Sequence, residues 1–130
     1  MNIQECAADA VDKKENQGYN CCQAVVLALA GETDLPEEKL EQIGAGFAAG
    51  MGNMQGTCGA LVGAGIIGGL KTEGSRTVRF ARRISEAFRE KSGAVICAEL
   101  KGAGGGPVLC PCSECVRNAV LAYGEVMLSD

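Results

Sequence analysis

The sequence predicts an all-α fold, a compact bundle of five to six helices around a glycine-rich centre. Three observations predict it. Apolar residues recur at the three- and four-residue spacing of a helix face in several segments. Residues that start and stop helices fall between those segments. No segment carries the strict apolar–polar alternation of a strand.

The elements follow in order. Ile3, Cys6, Ala7, Ala10 and Val11 predict an amphipathic helix over residues 2 to 15, with Cys6 on its packed face. Asn16, Gly18 and Asn20 break it. Asn20 is a good N-cap, and the following residues, Cys21 to Ala30, are apolar nearly all round, as in a fully buried helix. Gly31 is its natural stop. Pro36 suits the first turn of a third helix, with Glu37 and Glu38 at its positive end. That helix runs through Leu40 and Ile43 into GAGFAAG. Gly46 and Gly50, Gly59 and Gly63, and Gly65 and Gly69 lie four apart, a spacing that lets helices approach closely. Gly52 to Gly56 is a turn, and Thr57 caps a fourth helix over Cys58 to Lys71. Residues 75 to 91 form a fifth, with Val78, Ala81, Ile84 and Phe88 as its inner stripe, ended by Gly93. Val95 to Lys101 is a short helical segment, and GAGGGP is a loop. A last helix opens at Ser113, with Val116, Ala119, Val120, Tyr123 and Met127 on one face.

A chain of 130 residues suggests one domain over residues 1 to 130, large enough for a core without disulfides. The net charge is −4, the reverse of a usual nucleic-acid binder. Charge is uneven: Ser75 to Lys91 carries six basic residues against Glu86 and Glu90. This reads as a solvated face answering Glu37, Glu38 and Glu41, with docking of an acidic partner as the sharper option. No charge occurs from Ile43 to Leu70, but Asn53, Gln55, Thr57 and ten glycines break that run. Its clean part, Ala60 to Leu70, is too short to span a membrane. The start, MNIQECAADAVDKK, has no basic segment followed by an apolar run, so no export signal is read and a cytoplasmic location is expected. A small helical domain with few aromatics is suited to bury apolar surface against a twin, so a two-fold homodimer is the assembly expected.

What stands out is eight cysteines and 19 glycines, with no histidine and no tryptophan. The missing histidine removes Ser–His–Asp and Cys–His nucleophiles, histidine-ligated zinc and c-type haem attachment. GAGFAAG has neither the spacing nor the preceding strand of a dinucleotide loop, and GAGGGP lacks a GK[ST] ending. Thiol or thiolate chemistry remains. Thiols in a reducing compartment stay free unless they bind metal or do redox work.

Cys21, Cys58 and Cys115 fall where predicted helices begin. Free amide N–H groups and the helix dipole there favour a thiolate. The cationic stretch at 75 to 91 is a second source of stabilisation. The densest run is CPCSEC, where Cys112 and Cys115 form a CxxC pair, a spacing used for thiol–disulfide exchange, zinc or iron–sulfur ligation. Cys21 and Cys22 point about 100° apart on a helix, so one site is not expected to use both.

The chain resembles the redox-active proteins named for their C_GCAxxG_C_C cysteine pattern. The blocks that carry the resemblance are YNCCQAV, GFAAGMG, TCGALVGA, CAELKG and CPCSECVRNA, in the family's order over residues about 19 to 123. The resemblance implies four signature cysteines at Cys21, Cys58, Cys97 and Cys115. The GCAxxG block reads here as Cys58, Gly59, Ala60 and Gly63, and the choice between Cys21 and Cys22 stays open. Cys6, Cys110 and Cys112 look like additions; Cys22, Cys110 and Cys112 are secondary metal candidates. Similar domains occur in split-Soret cytochromes, where haem and an iron–sulfur site are implied; without CxxCH, haem does not transfer.

Two classes of function follow. In the first, Cys21, Cys58, Cys97 and Cys115 do redox work with a redox partner, either as ligands of a two-iron (2Fe-2S) cluster or as dithiols cycling with disulfides. In the second, the chain is a helical binding or accessory module with an all-thiolate zinc site or buried free thiols. Each version requires those sulfurs to meet in the fold.

Overall fold

Asn20 is the clearest example of a residue that makes its element. Its side-chain oxygen accepts the Gln23 amide N–H at 2.8 Å, and the Gln23 side chain accepts the Asn20 N–H at 3.1 Å. This capping box, worth about 1 kcal/mol, starts a helix at Cys21. The computed structural model describes residues 2–128, and among them seven α-helices are formed. They are α1 (Ile3–Asn16), α2 (Cys21–Ala28), α3 (Glu37–Gly44), α4 (Gly59–Lys71), α5 (Thr77–Ser92), α6 (Cys97–Lys101) and α7 (Cys112–Met127). That is more than the five to six the sequence predicts, because the short segment after Val95 is a true turn of helix. No strand occurs among the described residues. No helix there is long and apolar enough to cross a membrane.

Helix α7 is the packing axis. It touches α1, α2, α4 and α5, and it buries Cys115, Val116, Ala119, Val120, Ala122 and Tyr123 among its residues. Burying one Val, Leu, Ile or Phe side chain is worth about 1.5–3 kcal/mol. Helix α2, buried almost all round, packs on α1, α3, α4 and α7. The Tyr123 hydroxyl donates to Glu32 Oε1 at 3.1 Å, tying α7 to the 3-10 turn Ala30–Glu32 that follows α2.

Some boundaries and faces differ from the expectation. Helix α3 stops at Gly44 rather than continuing through GAGFAAG. The chain there turns through left-handed backbone at Ala49, Met51 and Met54. Cys58, not Thr57, is the N-cap of α4. Val78 is 85% exposed. It lies about 120° around the helix from Ile84 at 100° per residue, so the inner face of α5 is Ile84, Phe88 and Ser92. Among the described residues, the ion pairs of α5 are Arg82–Glu86 and Lys91–Glu125, not pairs with Glu37, Glu38 or Glu41.

Glycine spacing has unequal consequences. A Cβ on Gly59 would lie 2.5 Å from the Phe47 carbonyl oxygen, and one on Gly63 would lie 3.0 Å from the Cys22 carbonyl oxygen. Gly63 lets α4 lie against α2, and Gly59 lets the Phe47 turn lie against the start of α4. Gly46 and Gly65 meet nothing within 4 Å, and Gly69 meets only a Thr77 methyl at 3.7 Å.

Candidate functional site

Four helix ends bring the sulfurs together. The Asn20 capping box fixes Cys21 as the first residue of α2, and the Asn20 amide also reaches the Gly44 and Ala45 carbonyls at 3.4 Å. Cys58 and Cys97 are aligned by a one-residue antiparallel bridge between Thr57 and Ile96. The Cys58 N–H donates to the Val95 carbonyl at 2.8 Å, and the Cys97 N–H donates to the Gly56 carbonyl at 3.0 Å. A bridge this short leaves no alternating signal to read. Cys112 and Cys115 open α7. The loop before them folds back because the Leu100 carbonyl accepts the N–H groups of both Leu109 and Cys110, at 3.0 and 3.1 Å. Gly102 makes that return possible: its φ is +70°, and a Cβ there would meet the Gly106 carbonyl oxygen at 2.5 Å.

The result is two thiol pairs and a lysine. The Cys115 thiol acts on the titration of Cys58, and the Cys21 thiol on that of Cys112. Lys101, at the end of α6, donates to Cys115 Sγ at 3.2 Å and to the Cys110 carbonyl at 3.0 Å. Its charge also acts on Cys112 and Cys58. Cys58 is 2% exposed, Cys115 0% and Cys21 9%, while Cys112 is half-buried. All eight cysteines are free thiols.

Electrostatics divides each pair. The thiol of Cys115 stabilises a Cys58 thiolate, and the Ala60 and Leu61 N–H groups and Lys101 add to it, so the Cys58 pKa falls to about 6 against the pull of burial. The partner, Cys115, is pushed up by giving its proton to that bond and by burial. Likewise Cys21 stabilises a Cys112 thiolate, with Lys101 and Lys14 helping, and the Cys112 pKa falls to about 5. Cys21 is pushed up by its bond to Cys112 and by burial. Burial opposes the charge on Lys101, but the sulfur charges outweigh it and its pKa is raised. Within each pair one sulfur holds the shared proton while the other is eased towards the thiolate. A helix start helps, but a paired thiol in a buried site decides which sulfur keeps the proton.

The other candidates sit as follows. Cys97 is buried; burial raises its pKa, with the charges of Cys58 and Cys112 adding to it, and it is in neither thiol pair. Its Cβ lies 2.6 Å from where a Cβ on Gly50 would stand. Cys22 is fully buried in the core and pushed up to about 12, chiefly by burial. Cys110 is buried, 3.7 Å from the Asn118 amide. Cys6 lies on α1, half-buried, and is raised by burial. So Cys21, Cys58 and Cys115 of the expected four fall into the two pairs, joined by Cys112, with Cys97 in neither. The missed residues are Lys101 and Lys14. Lys101 had a readable signal: it is the only basic residue between Lys91 and Arg117, and it lies four places after Cys97.

A cluster or zinc ion would need several sulfurs turned to one point. Among the described residues, no group of three or more Cys, Asp or Glu side chains is so arranged. Thiolates are the donor type such groups use, and Lys101 Nζ is hydrogen-bonded to Cys115 Sγ.

Against known families, residues 19–126 match the model described as "Putative redox-active protein (C_GCAxxG_C_C)". No curated protein and no solved structure matches the chain. The match covers most of the sequence, and the chain belongs to that family.

Proposed function

We propose that this member of the C_GCAxxG_C_C family works by thiol–disulfide exchange, with Cys112 as the attacking thiol and Cys21 as the resolving one. A single observation carries the reading: Cys112 is half-buried while Cys21, Cys58 and Cys115 are buried, and Cys21 and Lys101 both favour its thiolate. A disulfide substrate can reach it without opening the core.

The chemistry balances without a cofactor. Cys112 thiolate attacks one sulfur of the substrate disulfide; that S–S bond breaks and one substrate thiolate leaves. Cys21 then attacks the Cys112 sulfur, its proton passing to the departing second thiolate. The substrate gains two electrons and the chain loses two, held as a Cys21–Cys112 disulfide. In reverse, the same steps oxidise a dithiol. Lys101 opposes the negative charge on Cys112 whenever that sulfur is the attacking or leaving group.

The pairing of sulfurs supports this reading over the two-iron cluster or zinc site expected of Cys21, Cys58, Cys97 and Cys115. The test is an anaerobic preparation analysed for metal and then treated with a small disulfide. A colourless, metal-free protein that forms the Cys21–Cys112 bond is the expected result. Stoichiometric iron or zinc, with the thiols protected from oxidation, would overturn it in favour of the metal site.

A further inference from the structure

We propose that the cavity between α1 and the C-terminal end of α2 is a binding site for a small organic ammonium ion, a primary amine carried on a short apolar tail. The cavity lies at the end of α2 away from Cys21, so this function is separate from the thiol chemistry and does not depend on it. Its volume is about 340 Å³, inside the range of about 300–1,000 Å³ usual for small-molecule sites. Ile3, Leu27 and Leu29 give it an apolar wall, against which an alkyl tail leaves water. Asp9, Lys13, Glu32 and Glu37 supply its charge. Asp9 and Lys13 answer each other in an ion pair at 3.3 Å. Two carboxylates remain, Glu32 and Glu37. Lys71 approaches Glu32 only to 3.8 Å and is not part of this wall.

Glu32 is the anchor. The hydroxyl of the fully buried Tyr123 donates to its Oε1 at 3.1 Å. That bond holds the carboxylate in place from the core side and leaves Oε2 with no hydrogen-bond partner among the described residues. A carboxylate oxygen only accepts, so its complement is a donor, and a charged donor makes the stronger bond. No aromatic ring lines the cavity among the described residues, so a quaternary ammonium, which is held by ring faces, has no partner here. Nor do three Cys, Asp or Glu side chains among the described residues stand so as to hold a metal ion. The chemistry that fits is an ammonium with N–H groups to give to Glu32, and a tail to lie along Leu27 and Leu29.

The test titrates n-hexylammonium chloride into the full, reduced chain at neutral pH and low salt, read by calorimetry. Hexanol and hexanoate carry the same tail with a neutral and a negative head. The expected result is saturable binding of hexylammonium, weaker binding of hexanol and none of hexanoate. Glu32→Gln keeps an oxygen for the Tyr123 hydroxyl and removes the charge. It should weaken hexylammonium about tenfold and leave hexanol unchanged. Glu37→Gln, at an exposed position on α3, should weaken hexylammonium in the same selective way and serves if Glu32→Gln does not fold. Hexylammonium that fails to saturate, hexanoate that binds as tightly, or a loss shared equally by hexanol would each overturn the proposal.

Discussion

Lys101 Nζ stands 3.2 Å from Cys115 Sγ, across fourteen residues of chain, and its charge also acts on Cys112 and Cys58. Its removal should be felt at Cys112, where the sulfur can be reached from solution. An opposite charge within about 4–6 Å typically moves a pKa by 1–3 units. Lys101→Met should therefore slow alkylation of Cys112 by iodoacetamide at pH 6 by about two- to a hundredfold, and Lys101→Arg should restore most of the rate. An unchanged rate in Lys101→Met would show that the ammonium is a bystander.

The pH profile of that alkylation follows from the same contacts. Because the Cys112 pKa is lowered to about 5, its thiolate persists above that value, and reactivity should fall only as pH drops through about 5. Cys6, raised by burial, should gain reactivity only above the ordinary thiol range. Mass mapping of alkylated peptides at a series of pH values separates the two. Parallel curves for both cysteines would count against the assigned charges.

Turnover should depend on Cys112 and not on Cys6. With a small disulfide as substrate and dithiothreitol as reductant, Cys112→Ser should fall to the uncatalysed rate, and Cys6→Ser should match the parent chain. Cys21→Ser should halt after the first step and accumulate a mixed disulfide on Cys112, visible by intact mass. Free turnover in Cys21→Ser would remove it from the resolving role.

Two glycines of α4 should respond in opposite directions to the same change. A Cβ on Gly59 would meet the Phe47 carbonyl oxygen at 2.5 Å, so Gly59→Ala should cost about 1–3 kcal/mol through forced separation of packed backbone. A Cβ on Gly65 meets nothing within 4 Å, and Gly65→Ala should add about 0.5–1 kcal/mol by helix propensity. Urea unfolding of the two variants measures both, and a loss in each would refute the account of how α4 is packed.

The helices were legible in the sequence where a cap or a long apolar face marks them. Asn20 announces α2, and Val116, Ala119, Val120 and Tyr123 announce α7. The short helix α6 was counted uncertainly because five residues cannot display a period. Val78 misled because steps of three residues drift around a helix, and after two of them the side chain has left the buried face. The site was legible as a set of cysteines and a family pattern, but not as pairs. Which sulfur acts on which depends on helix ends far apart in the chain, as with Cys21 and Cys112, and on the single Thr57–Ile96 bridge. The six basic residues between positions 75 and 91 dominate the charge pattern of the sequence, whereas the single Lys101 is the one that the fold sets against Cys115 Sγ.

Helix α7 carries Cys115 at one end and the packing of α1, α4 and α5 along its length. Because one helix both opens on Cys112 and Cys115 and carries the packing of the interior, chemistry at its first turn is felt by the whole bundle.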